Sequence, residues 1–307
     1  MISPIHSPLL DSTPLHWNAM SKRKPRFHPG RTGMALLVWL GAFVLLAGAA
    51  QSQTPSLLLA TTTSVQDSGL LDVLLPPFTA ASGIPVRTVA VGTGAALRMG
   101  AEGNADILLT HAPSAEQALL DQGAVSERIE IMDNYFVIVG PAEDPAEVAT
   151  ASNASEALKR IQDSGASFVS RADDSGTHKK ESQLLHEAGI DPSQSRSGLT
   201  RTGSGMGESL LVAGQRRAYI LSDIGTFLAF RDRVDLVPLT ANSADLRNVY
   251  AVLLIDSKRF PKVRATEARQ LAEYLRGTEA RTLMKEFGLE RFGQALFSPL
   301  SVENPPH

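Results

Sequence analysis

Residues 168–181 read FVSRADDSGTHKKE, and the helix that follows carries Leu184, Leu185 and Ala188 on its apolar side. An apolar strand (residues 167–169) stops in a turn of small and hydroxyl-bearing residues, and a helix opens at Ser175, Gly176 and Thr177. The first four N–H groups of a helix have no partner inside it, and the aligned peptides leave about half a positive charge there. Glycine lets a ligand approach the backbone closely, and Ser and Thr hydroxyls add neutral donors. Such a junction cradles an anion. Taken singly it is also an ordinary helix cap, because Ser and Thr are preferred at that position.

The same junction recurs three times. Thr61, Thr62, Thr63 and Ser64 follow the apolar run 56–60 and lead to a helix expected to begin near Asp67 and Ser68. Gly92-Thr93-Gly94 follows a strand over 86–91 and opens a helix over 95–100. Gly203-Ser204-Gly205-Met206-Gly207 opens a helix bearing Leu210 and Leu211. Repetition favours one shared anion site over four separate caps. Arg171 is the one cation immediately beside these turns, placed to offer a planar fork to an oxyanion or to pair with Asp173 or Asp174. Lys179 and Lys180, a turn further on, are expected to face solvent.

Further short apolar runs at 105–109, 135–139, 218–221, 234–239 and 249–255 alternate with helix-period segments. Leu70, Leu71, Leu74, Leu75 and Phe78 share a helical face; Pro76-Pro77 within that run predicts a kink or an early end. Ala268, Leu271, Ala272 and Leu275 form another face, interrupted at Gly277, and Ala280, Leu283, Met284 and Phe287 continue to Gly288. Strands alternating with helices specify α/β architecture with parallel sheets. Two extended segments, 128–141 and 248–255, suit a double crossover between two lobes hinged like a clamshell. The lobes are expected at 55–138 with 248–300, and at 139–247.

The chain has 307 residues, 43% hydrophobic, with a formal net charge of −3. That is long enough for two domains and lacks the basic excess that a nucleic-acid partner requires. A small anion is not excluded, since local dipoles rather than net charge hold it. With no cysteine, disulfides, thiolate nucleophiles and Cys-ligated zinc are excluded. Residues 1–50 read as an n-region and signal peptide: Lys22, Arg23, Lys24, Arg26 and Arg31 precede MALLVWLGAFVLLAGAA at 34–50, with Ala47-Gly48-Ala49 at the exit. The run is shorter than the roughly 20 residues of a spanning helix. Met20 stands as an alternative start, and without a cysteine no lipid anchor follows. A periplasmic protein is the expected product.

Other chemistries fit the residues poorly. Gly92-Thr93-Gly94-Ala95-Ala96-Leu97 starts like a dinucleotide fingerprint but ends on Leu97, with no acidic residue closing a strand at the required distance. Gly205 stands where a nucleophile elbow needs its serine. Ser175 and His178 could share a helix face, yet no orienting acid accompanies them. His178 and His186 lie about 12 Å apart along a helix, too far for a common metal. His111, in Thr110-His111-Ala112-Pro113, reads as a loop-stabilising residue ahead of a cleft residue. Trp17 and Trp39 both precede the mature chain. The reading calls for no catalytic residue, cofactor or metal.

Seven segments together carry a resemblance. They are LATTTSVQDSGLL (59–71), VAVGTGAAL (89–97), ADILLTHAP (105–113), NYFVIVGP (134–141), FVSRADDSGTHKKE (168–181), GSGMGESL (203–210) and FGQALFSP (292–299). In this order the chain resembles the periplasmic tungstate-binding proteins of the tungstate-specific ABC importer, across about residues 57–299. The resemblance implies a type II periplasmic-binding-protein fold, with two α/β lobes and tungstate held between them. It further implies molybdate as a weaker or competing ligand, an ABC permease as partner and, through it, the ATPase. Its binding hydroxyls fall on Thr62 and Ser64, with Thr63 between them, and on Arg171 and Thr177, with Ser175 and Gly176 nearby. Thr93, Ser204 and Gly205 are further candidates.

The chain departs from that family at Ala172, often Gly, at Ser204, often Gln, and at Ile224, usually Arg. The last puts in doubt a cleft contact from residues 222–226. Phosphate is the competing oxyanion, because phosphate-binding proteins also carry an Arg-x-Asp-x-Ser-Gly-Thr run. Phosphate keeps a proton near neutral pH and rewards a carboxylate acceptor, whereas tungstate is fully deprotonated and is repelled by one. An inward Asp173 or Asp174 favours phosphate; both outward favours tungstate. A secreted hydrolase using Ser175 is the alternative from another class.

Overall fold

The computed structural model describes residues 55–300, all within one compact unit. The predicted signal peptide lies outside the described residues. β1 (Leu57–Thr62) is followed by α1 (Thr63–Ser68) and α2 (Leu70–Ser82), β2 (Val86–Val91) by α3 (Thr93–Ala101), and β3 (Ile107–Thr110) by α4 (Pro113–Asp121). The long β4 (Val125–Gly140) leads to α5 (Ala154–Asp163), β5 (Phe168–Ser170) and α6 (Gly176–Glu187). Next come β6 (Leu199–Arg201), α7 (Met206–Arg216), β7 (Tyr219–Asp223), α8 (Ile224–Phe230) and β8 (Val237–Pro238). β9 (Arg247–Ile255) then precedes α9 (Ala265–Arg276), α10 (Thr278–Glu286), α11 (Leu289–Phe292) and β10 (Ser298–Pro299).

In one lobe β1 lies between β2 and β3 in parallel, and β9 runs antiparallel to β3 and to the first part of β4. In the other, β7 pairs antiparallel with the last part of β4, and β5 lies parallel between β7 and β6. β4 therefore belongs to both sheets. It pairs with β9 as far as Asn134↔Asn248 and Tyr135↔Arg247, and with β7 from Phe136 onward. The chain leaves one lobe along β4 and returns at the start of β9, which makes these two strands the double crossover of a type II binding-protein fold.

Strand periodicity builds each lobe's two apolar layers. Along β9, Tyr250, Val252 and Leu254 pack into the cluster containing Leu59, Leu74 and Leu271, while Ala251, Leu253 and Ile255 face the cluster containing Ala96 and Leu108. Along the end of β4, Phe136 and Ile138 join Leu158 and Leu184, and Val137 and Val139 join Leu210 and Ile220. Helices cover both faces, as parallel sheets require.

Two local expectations are corrected. The helix after β1 starts at Thr63, not near Asp67, because Thr62 caps it by accepting a hydrogen bond from Val65 N–H. Gly69 then takes a left-handed φ of 79° and separates α1 from α2. α2 also does not end early but continues past Pro76 and Pro77 to Ser82. Those prolines free the carbonyls of Asp72 and Val73, two residues on the exposed side of the helix. Burial of Leu70, Leu71, Leu74 and Phe78 on the opposite side holds the helix together. β6 and β10, three and two residues long, carry too little periodicity to be seen in advance.

Candidate functional site

Five turns at the carboxyl ends of strands meet around one cavity of about 560 Å³. β1 contributes Thr63 and Ser64, β2 Gly92, β5 Arg171 and Asp173, β6 the run Gly203 to Gly207, and β7 Gly225 and Thr226. Crevices at such strand ends are where open α/β sheets bind ligands, and the size is that of a small-molecule cleft.

Each turn is locally determined. In the first, Thr62 is buried as the cap of α1, and its Oγ1 lies 3.1 Å from Ser64 Oγ. Ser64 Oγ also lies 3.2 Å from His111 Nε2. After β5, Ala172 and Asp174 take left-handed φ values of 49° and 58°, which cost about 1 kcal/mol each for a residue with a Cβ. The strain at 172 accounts for a preference for glycine there. The turn it creates folds Asp173 back, so that Oδ2 accepts from Arg171 Nη2 at 2.5 Å. Asp173 Oδ1 accepts from the Ser175 hydroxyl at 2.6 Å and from its N–H at 3.2 Å. Ser175 in turn caps α6 by accepting from His178 N–H.

Arg171 is only 3% exposed. Besides Asp173 it points Nη1 at Thr177 Oγ1 and Nε at the Ser204 carbonyl, each at 3.4 Å. These two long contacts are weak, so much of the guanidinium's donor capacity remains for a ligand. Asp67 and Arg291 also line the cavity. Burial and the nearby Asp223 carboxylate raise the pKa of Asp67, partly offset by Arg171. Asp223 caps α8 through Oδ1, while its Oδ2 is buried without a hydrogen-bond partner among the described residues.

Of the residues expected at the site, Thr63, Ser64, Arg171, Ser204 and Gly205 line the cavity. Thr62, Ser175 and Thr177 stand behind them, tied in through Ser64, Asp173 and Arg171 respectively. Thr93 is buried with an unpartnered hydroxyl, and its neighbour Gly92 lines the cavity instead. Gly176 packs against the His111 ring, where a Cβ would collide. It lines a second cavity of about 710 Å³ with Lys179, Lys180 and Arg247. Lys179 and Arg247 there are paired with Asp174 and Asp133. Lys179 and Lys180 are partly buried along it, in place of the solvent-facing positions expected of them.

The criterion separating phosphate from tungstate also meets a mixed outcome. Asp174 stays off this cavity, paired with Lys179 along the second one and reaching Gly94, but Asp173 is turned into it. Both Asp173 oxygens are taken by Arg171 and Ser175, so the carboxylate shapes the loop before it serves as an acceptor for a ligand proton. The doubt about a cleft contact from residues 222–226 is corrected, since Gly225 and Thr226 line the cavity, while Asp67, Phe230 and Arg291 were not foreseen there. Asp67 sits in the helix that was placed too late, and Arg291 in a C-terminal segment with no turn motif.

Hydrolytic chemistry finds no support in the geometry. Ser175 Oγ is engaged by Asp173 and by the His178 backbone, while His178 Nδ1 accepts the Asp174 N–H. Among the described residues no cluster of His, Asp or Glu could hold a metal ion. Beside the carboxylates of Asp67, Asp173 and Glu208, the cavity presents hydroxyl, glycine-backbone and guanidinium groups, which is an arrangement for binding.

A family model described as the PBP superfamily domain matches residues 49–276. The chain is 39% identical over 267 residues to the tungstate-binding protein TupA of Peptoclostridium acidaminophilum, covering 83% of this chain and 93% of that one. Among solved structures it is similar to the tungstate ABC transporter protein of Geobacter sulfurreducens, with 42% identity, a TM-score of 0.68 and coverage of 76% and 98% of the two chains. It is also similar to the tungstate-binding protein TupA of Desulfovibrio alaskensis G20, with 37% identity, a TM-score of 0.72 and coverage of 80% and 99%.

Proposed function

We infer that this chain, which belongs to the PBP superfamily and within it to the tungstate-binding proteins of ABC transporters, captures tungstate in the periplasm and delivers it to an ABC importer. It is a binding protein, not an enzyme. The observation that carries the reading is the convergence of five strand-end turns, with a buried arginine, on one cavity. Tungstate is a pure hydrogen-bond acceptor, and the cavity's hydroxyls, backbone N–H groups and guanidinium are donors.

Ser64, Thr63, Ser204 and Gly205 supply neutral donors and Arg171 a charged one, with Thr62, Ser175, Gly176, Thr177 and Thr93 shaping the turns that present them. Residues 55–138 with 248–300 form one lobe and 139–247 the other, closing about the crossover at Asn134 and Asn248. Molybdate, of the same shape and charge, competes. The closed form docks on a permease that communicates with an ATPase, and residues 1–50 are removed on export.

Charge-assisted bonds are worth about 1.5–3 kcal/mol each, so about six of them, less desolvation and ordering, suffice for the roughly 12 kcal/mol of nanomolar binding. The inward Asp173 keeps phosphate as a second reading. A thermal-shift comparison tests both: tungstate is expected to raise the melting temperature strongly and phosphate hardly at all. A larger shift with phosphate overturns the assignment.

A further inference from the structure

His111 is built into the molecule with unusual care. It is 4% exposed, follows β3, and is fixed on both sides by Glu116, whose Oε1 accepts from the Thr110 hydroxyl and the Ala112 N–H at 2.7 Å each. Its ring stacks on Tyr250 with centroids 4.8 Å apart, and its edge touches Gly176 of the opposite lobe. One nitrogen, Nδ1, lies 3.0 Å from Asn248 Oδ1 and the other, Nε2, 3.2 Å from Ser64 Oγ.

The surroundings decide where the protons are. Asn248 Nδ2 donates to Asn134 Oδ1 at 2.8 Å and to Tyr250 Oη at 2.9 Å, which fixes its oxygen toward the imidazole. An amide oxygen only accepts, so Nδ1 must carry a hydrogen. In a neutral ring Nε2 is then an acceptor, and the Ser64 hydroxyl hydrogen must point at it. Thr62 can donate to Ser64 in turn. With neutral His111 the first-turn hydroxyl chain runs away from the cavity, and Ser64 shows the cavity its lone pairs. An imidazolium reverses this. Nε2–H donates to Ser64 Oγ, and the Ser64 hydrogen is free for the ligand.

We propose that His111 is a positioning residue whose proton sets the polarity of Ser64, so that a fully deprotonated oxyanion binds together with one proton on the imidazole. The inference rests on the oxyanion site proposed above. It also gives the site a second means of discrimination. Neutral His111 leaves Ser64 able to accept from a proton-bearing anion, whereas cationic His111 makes Ser64 a donor that suits tungstate.

Charged groups lie around the ring on every side. They are Asp223 at the end of β7, Glu116 on α4, Arg171 after β5, and, along the second cavity, Asp174, His178 and Lys179 with Arg247 of β9. Tyr250 of β9 is neutral, its pKa raised by burial. Burial lowers the His111 pKa, with Asp223, the Asn248 bond and Glu116 opposing and Arg171 reinforcing the effect. The ring is thus neutral before a dianion arrives, and the dianion's charge draws the proton in.

The test is calorimetric titration of the purified protein with tungstate near about pH 7.5, in two buffers of different ionisation enthalpy, which reads the protons taken up. The expected result is uptake of about one proton per ion, with affinity falling toward tenfold per pH unit as pH rises. Asp67→Asn, which removes the cavity carboxyl whose raised pKa makes it a second possible proton acceptor, is expected to keep the uptake; His111→Gln is expected to abolish it and flatten the pH profile. Binding without proton uptake, or uptake that survives His111→Gln, overturns the proposal. Should His111→Gln fail to fold, the imidazole nitrogen resonances of the wild-type protein decide: protonation of both His111 nitrogens with tungstate supports it, and an unchanged ring contradicts it. Absence of any tungstate binding instead defeats the oxyanion reading, a distinguishable failure.

Discussion

Replacing Arg171 by methionine removes the charged donor while keeping the buried stem. The guanidinium is 3% exposed and its one short bond is to Asp173. Losing a charge-assisted bond to the oxyanion costs about 1.5–3 kcal/mol, a weakening of roughly 12- to 160-fold. A second cost comes from Asp173, left without its cation on the wall of an anion site. Each negative charge of the anion about 5 Å from that carboxylate is repelled by about 3 kcal/mol at an effective dielectric near 20, a repulsion that the paired Arg171 offsets in the wild type, although Asp173 keeps its Ser175 bonds. We therefore expect Arg171→Met to weaken tungstate binding by roughly 10²- to 10⁴-fold. Arg171→Met combined with Asp173→Asn should recover about tenfold or more of that loss, because it removes the repulsion without restoring the donor. Titration calorimetry on the two variants and the wild type reads both terms. An affinity of Arg171→Met within about threefold of wild type refutes the reasoning and leaves Arg171 as the partner of Asp173 alone.

Glu181, buried beside Ser170, has its pKa raised by desolvation to about 7. Its stabilising contribution is present below the unfolded value near 4.5 and is lost as pH rises through about 7, so Glu181→Gln should stabilise the protein at alkaline pH by up to about 3 kcal/mol and change little in acid. Urea unfolding at both extremes checks this, and equal effects contradict it. Gly176→Ala drives a Cβ into the His111 ring and should weaken tungstate binding about tenfold or more; Gly94→Ala meets the exposed carboxylate end of the Asp174 side chain and should cost far less. An intact mass of the exported protein that begins close after Ala49 supports removal of the signal peptide, and one retaining residues 34–50 contradicts it.

The α/β architecture was legible because apolar strands and helical faces alternate without long interruption, and the turn at 171–177 pointed to the proposed anion site by its residue types. What was hidden depended on long-range contact. Nothing local in Thr110-His111-Ala112 tells that the ring bridges Ser64, Asn248 and Gly176, which lie up to 137 residues away. Arg291 reaches the cavity from a helix near the C-terminal end of the described residues, without a motif of its own. The start of α1 was misjudged because a run of three threonines offers three alternative caps, and only the packing of Val65 selects Thr62. The prolines of α2 show the reverse case, in which burial of one face overrides a local breaker on the other.

On the proposed function the cavity binds a fully deprotonated tetrahedral oxyanion, with tungstate preferred. Parallel calorimetric titrations of the purified protein with tungstate, molybdate, sulfate and phosphate test it most directly. Tungstate should bind most tightly, one ion per chain, with molybdate next. Sulfate or phosphate binding more tightly than tungstate would contradict the account.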